Sequence, residues 1–334
     1  MEPEQVNQII HHYPYPIAIP YRIVAGMVLE EEPEKSLKYI LDTAEAVARL
    51  LGFISLSELI RQKEGIGIDI PNGVKNDFKK NIQRPSFGIW NGMAREGFQY
   101  QKQQNLEIVI PDMKQLYYEG RNNETDFKIA MDRLIKLRNM IAHKELILDT
   151  TEKQQSAVRI SRRDMNALLT RLSLFDQVSF GYIQSIEVTK KPRQQAMFHH
   201  KGKKLKGDSV GKGINLSMAL ENIKETDSVM IRYDRQHYLS LYPFYIYDES
   251  SGDAADVFYY NGKDNKGRLV YIGIDHGGKF YVENRESQPQ EILDDIGMEF
   301  NLLIGGGDRK NKTENIKCSQ ELHEEFDHIV ELLN

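Results

Sequence analysis

The stretch Phe127-Lys128-Ile129-Ala130-Met131-Asp132-Arg133-Leu134-Ile135-Lys136-Leu137-Arg138-Asn139-Met140-Ile141-Ala142-His143-Lys144 decides the fold of the first half of the chain. On a helical wheel its apolar residues Phe127, Ala130, Leu134, Leu137 and Ile141 all fall within about 60° of Leu134. That is the stripe of a helix laid on a core. Arg138 lies at the stripe's edge, while Asn139 and His143, one turn apart, fall roughly 140° and 180° from Leu134. Both therefore point away from the core, towards solvent or a partner.

Working outward, the same period recurs from Pro33 through Leu37, Ile40, Leu41, Ala44, Val47, Ala48 and Leu51. Glu30, Glu31, Glu32 and Glu34 gather at the start of this helix, where carboxylates favour the positive end of the helix dipole, and Pro33 suits a first-turn position. Further helices are expected over about 86–104, 112–119, 123–147 and 153–175, with Asn123, Thr125 and Thr151 as cap-region residues. Gly65 to Gly73 reads as a loop. Tyr13-Pro14-Tyr15-Pro16-Ile17-Ala18-Ile19-Pro20 carries three prolines and reads as an extended arm with its aromatics on the bundle. Residues 1–175 are thus expected to form an all-α bundle.

After Asp176 the pattern changes to short runs rich in Val, Ile, Tyr and Phe. Ser228–Tyr233, Tyr238–Tyr247, Val257–Tyr260 and Arg268–Ile272 are strand candidates separated by Gly, Asn and Asp clusters, and Tyr260-Asn261-Gly262-Lys263 is expected to begin a hairpin connection. Ser319 to Leu333 returns to helical period. Residues 176–334 therefore read as a β-rich α+β domain of mostly antiparallel strands.

A length of 334 residues suits two such domains, and 40% apolar with 28% charged residues is a globular composition. The lone cysteine, Cys318, excludes an internal disulfide and any zinc site needing two cysteines, and fits a reducing cytosol. The acidic start Met1-Glu2-Pro3-Glu4 lacks the basic region of a secretory signal, and no apolar run is long enough for a membrane span. A soluble, cytoplasmic protein with no membrane partner is expected. Net charge is −5, but residues 1–175 hold 24 Lys and Arg against 23 Asp and Glu, whereas residues 176–334 hold 20 against 26. The first half meets a polyanion more easily.

Arg138-Asn139, three residues, then His143 resembles the Arg-polar-x-x-x-His motif of the HEPN superfamily, all-helical domains found in many prokaryotic ribonuclease toxins and antiviral effectors. The resemblance covers the first half only. It implies a HEPN-like bundle over 1–175, an endoribonuclease activity without metal or cofactor, and a toxin or antiviral-defence role. It also implies a homodimer, in which two copies of the Asn139 and His143 face build one composite cleft.

The residue types suit that chemistry. Histidine titrates near neutrality and can move the proton of a 2′-hydroxyl or of a leaving 5′-oxygen. Arginine, always charged and forked, can grip two oxygens of the crowded anionic phosphorane. Asn139 can hold the imidazole or a phosphate oxygen, and Lys136 and Lys144 flank the motif as candidate RNA contacts. A non-catalytic alternative uses the same helix face as a dimerisation, nucleotide-binding or RNA-binding platform.

A second candidate RNA-binding segment lies at residues 190–206, which hold seven Lys or Arg, two His and no acid. Lys190, Lys191, Arg193, Lys201, Lys203 and Lys204 are its candidate phosphate contacts, and Phe198 a base-stacking residue. A solvated connector is the plain alternative. The rest of the second domain shows no chemistry, and its Tyr-rich strands suit sensing, regulation or a partner such as an antitoxin. Gly207–Gly213 is too short for a phosphate-binding loop and has Gly where Ser or Thr belongs, Gly305–Asp308 reads as a turn, and His323 and His328 are spaced five apart instead of the four of HExxH.

Overall fold

The computed structural model describes residues 1–27, 31–83, 85–120, 123–191, 193, 197–207, 213–218, 226–234, 237–248, 255–275, 277–283, 315–318 and 320–333. Glu30, Asp208 to Lys212 of the rejected phosphate loop, Gly305–Asp308 and Ser319 lie outside these residues. The chain is mixed α+β. Helices α1 (Pro3–His12), α2 (Tyr15–Gly26), α3 (Pro33–Ile66), α4 (Asn72–Gln83), α5 (Phe87–Gln103), α6 (Asp126–Ala142) and α7 (Thr151–Arg171) come first. A short ribbon, β1 (Tyr118–Glu119) with β2 (Asn123–Glu124), precedes α6.

Two five-stranded sheets follow. One runs β5 (Gly213–Met218), β4 (Met197–Lys204), β3 (Ser179–Thr189), β6 (Ser228–Arg232), β7 (Tyr238–Ser240), antiparallel throughout. The other runs β12 (Asn315–Cys318), β11 (Lys279–Glu283), β10 (Leu269–Gly273), β9 (Asp256–Lys263), β8 (Tyr245–Asp248), with only β11 and β12 parallel. Helix α8 (Gln320–Leu332) closes the chain.

Helix α3 is the axis of the molecule. Its 34 residues bury apolar side chains on every face through the middle, from Val47, Ala48, Leu50 and Leu51 to Phe53, Ile54, Leu56 and Leu59. A helix apolar all round has to be surrounded, and α3 packs on α2, α5, α6, α7, β7 and α8. The approach of α5 depends on missing side chains: a Cβ on Gly97 would lie 1.9 Å from Ser55 Oγ, and one on Gly52 3.0 Å from the Trp90 carbonyl oxygen.

The core does not stop where the helices do. Phe53 packs edge-on against Trp90 at 4.7 Å and stacks on Phe244 of the β7–β8 turn, also at 4.7 Å. Phe244 in turn meets Phe326 of α8 at 5.9 Å. Arg49 lies over the Tyr259 ring at 3.7 Å, and Arg22 pairs with Asp275 at 3.1 Å. Helices and sheets share one hydrophobic cluster.

Several local expectations are corrected. Tyr13–Pro20 is not an extended arm, because α2 begins at Tyr15 and buries Tyr15, Ile17, Ala18, Ile19, Tyr21 and Val24. Proline is compatible with a helix's first turn, and the burial of six apolar side chains outweighs the bond lost at Pro20. The loop read at Gly65 to Gly73 is shorter than expected, because α3 runs on to Ile66 and α4 begins at Asn72. Residues 112–119 form a 3-10 turn (Pro111–Gln115) and then β1. The helix expected over 123–147 is shorter at both ends, and the one over 153–175 starts at Thr151, capped by Thr150, and passes into a 3-10 turn (Leu172–Gln177). Tyr238–Tyr247 splits into β7 and β8 at a turn. Lys263 is still paired within β9, so the hairpin turn lies at Asp264–Gly267, where Asp264 accepts from the Lys266 and Arg268 amides at 2.9 and 3.0 Å.

Candidate functional site

Helix α6 is held at both ends by local bonds. Thr125 Oγ1 accepts the Lys128 amide at 3.2 Å and donates to the Leu116 carbonyl at 2.6 Å, anchoring the first turn to the preceding segment. At the other end His143 is the C-cap, its amide bonded to the Asn139 carbonyl at 2.9 Å. Lys144 then takes a left-handed φ of 58°. The Glu145 and Leu146 amides return to the Met140 carbonyl at 2.9 and 3.1 Å, which closes the helix. A left-handed non-glycine residue costs about 1–2 kcal/mol, so the reversal directly after His143 is held against strain. It leaves the imidazole exposed at a fixed helix end.

Phe127, Ala130 and Leu134 are buried, Leu137 and Ile141 half-buried, and Asn139 and His143 exposed. Arg138 is half-buried and turned towards α3. There the Asp42 carboxyl is raised above its ordinary value by crowding against the bundle, while the charges of Lys38 and Arg138 pull it down. Arg138, Asn139 and His143 thus share the last two turns of α6, with exposed Lys136 and Lys144 on either side.

The surroundings are cationic. Residues 126–171, the α6–α7 hairpin, hold 10 Lys and Arg against 6 Asp and Glu, in a chain whose net charge is −5. Buried Asp164 of α7 is shared by Arg133 at 3.4 Å and Arg163 at 3.9 Å. Exposed Ile147 and Ile160 give the same hairpin two uncovered apolar side chains. Asp42 and Asp164 escape a reading of the sequence because they come from other helices, and only packing brings them to Arg138 and Arg133 of α6.

The basic segment 190–206 is not a single loop. Lys190, Lys191 and Arg193 are exposed beyond the end of β3, while Lys201, Lys203 and Lys204 belong to β4, an interior strand between β3 and β5. Strand alternation puts Lys201 and Lys203 on one face and Lys204 on the other. Lys201 pairs with Glu187 across the ladder. Lys206 donates to the Asp176 and Val178 carbonyls at 3.0 and 3.1 Å, and burial lowers its pKa. The five candidate lysines and one arginine are thus divided between the end of β3 and the two faces of β4.

These placements change what substitution should do. Replacing Lys190, Lys191 and Lys204 with Gln should weaken binding to single-stranded RNA of any sequence and flatten the log–log salt slope by about 2, at roughly 0.7 per phosphate contact. Lys201→Gln alone should move the slope by less than ~0.7, since Glu187 already matches that charge. Filter binding between low and high salt measures both slopes. An unchanged slope in the triple variant would return this segment to a solvated connector.

Among the described residues, no group of three or more His, Cys, Asp or Glu side chains is placed to hold a metal ion, and no helix is long and apolar enough to cross a membrane. Comparison of the chain with protein-family models, with curated proteins and with solved structures finds no match.

Proposed function

We propose that the helical half is HEPN-like and that the chain is a metal-independent endoribonuclease serving as a toxin or antiviral effector. The observation that carries this reading is the exposed pair Asn139 and His143, one turn apart at a pinned helix end, with Arg138 beside them on a cationic hairpin. A merely polar helix end has no need of that set.

The reaction follows from the groups. The 2′-oxygen attacks the adjacent phosphorus and gives its proton to a base, the P–O5′ bond breaks, and the 5′-oxygen takes up a proton. His143 is the group that moves protons at one or both oxygens. Arg138 meets the charge gathering on the non-bridging oxygens, and Asn139 orients the imidazole or the phosphate. A single exposed helix end excludes little water, so the working site is the junction of two copies, and Ile147 and Ile160 supply apolar surface for that contact.

Purified protein incubated with total RNA in EDTA should cleave it and leave 2′,3′-cyclic phosphate or 3′-phosphate ends. Exclusive 3′-hydroxyl ends, or complete loss of cleavage in EDTA, would count against the mechanism. Light scattering on the same preparation should find the cleaving species at twice the mass of the chain. A monomer that cleaves at full rate would remove the composite site.

A further inference from the structure

A cleft among the described residues lies elsewhere. It encloses about 860 Å³ between the C-terminal part of α3, the segment after α5, the β6–β7 hairpin and α8. That volume is within the range of small-molecule sites. Arg138 meets α3 near Asp42, and the cleft reaches α3 around Arg61, roughly 28 Å further along at 1.5 Å per residue. The two places are distinct.

Its lining is acidic. Glu64, Glu107, Asp227, Glu321 and Glu325 contribute carboxylates, against Arg61 and two histidines, His328 beside Glu64 at 3.1 Å and His237 beside Glu107 at 3.2 Å, while Asp227 accepts the Tyr182 hydroxyl at 2.6 Å. Arg61 is already committed, bonding the buried Glu58 carboxylate at 2.7 Å and the Glu107 carbonyl at 3.2 Å. Burial raises the Tyr242 hydroxyl far above its usual range, and the charges of Glu321, Glu325 and Asp227 raise it further.

A second observation is independent of the charge. Ser57 and Ser228 line the cleft, are 7% and 3% exposed, and their hydroxyl oxygens have no hydrogen-bond partner among the described residues. Buried hydroxyls without partners are costly, and a ligand that donates hydrogen bonds to them restores the loss. Such a ligand must be cationic, and it must be extended, because the carboxylates are too dispersed to converge on a metal ion among the described residues.

We propose that this cleft binds a small organic polycation, in chemical class an aliphatic polyamine. Its ammonium groups are shared among Glu64, Glu107, Asp227, Glu321 and Glu325, and Ser57 and Ser228 accept hydrogens deeper in. Tyr238 and Tyr242 offer ring faces to the ammonium groups and apolar surface to the methylenes between them. The site joins α3, β7 and α8, so its occupant ties the helical half to the sheets. It is unsuited to RNA, whose phosphates these carboxylates repel.

Calorimetric titration of the full chain, without RNA, with spermidine at fixed ionic strength should show one saturable site. The double variant Glu321→Gln/Glu325→Gln changes two exposed positions on α8, so circular dichroism should be unchanged while affinity falls tenfold or more. Ser228→Ala should weaken binding several-fold. Absence of saturable heat, equal affinity in the double variant, or Mg²⁺ competing as well as spermidine at equal charge would each overturn the proposal. Because no RNA is present, none of these results depends on whether the chain is a nuclease.

Discussion

His143→Ala should lower RNA cleavage by a factor of roughly 10²–10⁴, the usual contribution of a positioned proton-transfer group, while the thermal unfolding curve stays where it was. The imidazole is exposed, and the helix end is held through the backbone by the amides of His143, Glu145 and Leu146. Removing the side chain breaks none of those bonds. Unfolding of the variant would mean that the ring supports the hairpin, and undiminished cleavage would remove His143 from the chemistry. Arg138→Lys is the informative companion. It keeps the charge beside Asp42 but loses the planar fork that grips two phosphate oxygens, so cleavage should fall well below wild type with the fold intact.

The second large effect concerns the core. Phe53→Ala should cost about 3–5 kcal/mol, the range for deleting a buried Phe, because Phe53 is fully buried among Trp90, Phe244 and Tyr245. Urea titration followed at once by helix signal and by tyrosine fluorescence should give one shared, displaced transition. Two transitions, with only the helical one displaced, would show that the sheets fold without the bundle.

Helix α6 is legible in the sequence because its period, its Thr125 cap and its apolar stripe all agree. Its end is not: nothing in Lys144-Glu145 announces a left-handed turn, which glycine would have signalled. Helix α2 misleads for a related reason. Its prolines mark a break only when the rest of the molecule is ignored, and the surface that buries Tyr15, Ile17 and Ile19 comes from elsewhere in the chain. Among the described side chains of helix α4, Val74 and Phe78 alone are buried, in a polar, Lys- and Asn-rich stretch, too little to set a period. The strands show in the composition, but the turns between them depend on single residues such as Asp264. The catalytic candidates lie within six residues of one helix, so spacing can find them. The acidic cleft is built from four distant segments, so spacing cannot.

The start of the chain is stitched to its later half by backbone bonds, Tyr15 N–H to the Leu205 carbonyl at 3.1 Å and Gly207 N–H to the Tyr13 carbonyl at 2.8 Å. On a ribosome adding ~5–20 residues per second, Tyr15 emerges about 10–40 s before the strand that receives it. During that interval α2 has no seat for its backbone, and Phe53 waits about as long for Phe244. A nascent or truncated helical half is therefore exposed to proteases and chaperones. The helices reach their full packing only when synthesis has passed the sheets, so the order of synthesis sets how long the aromatic core around Phe53 stays open.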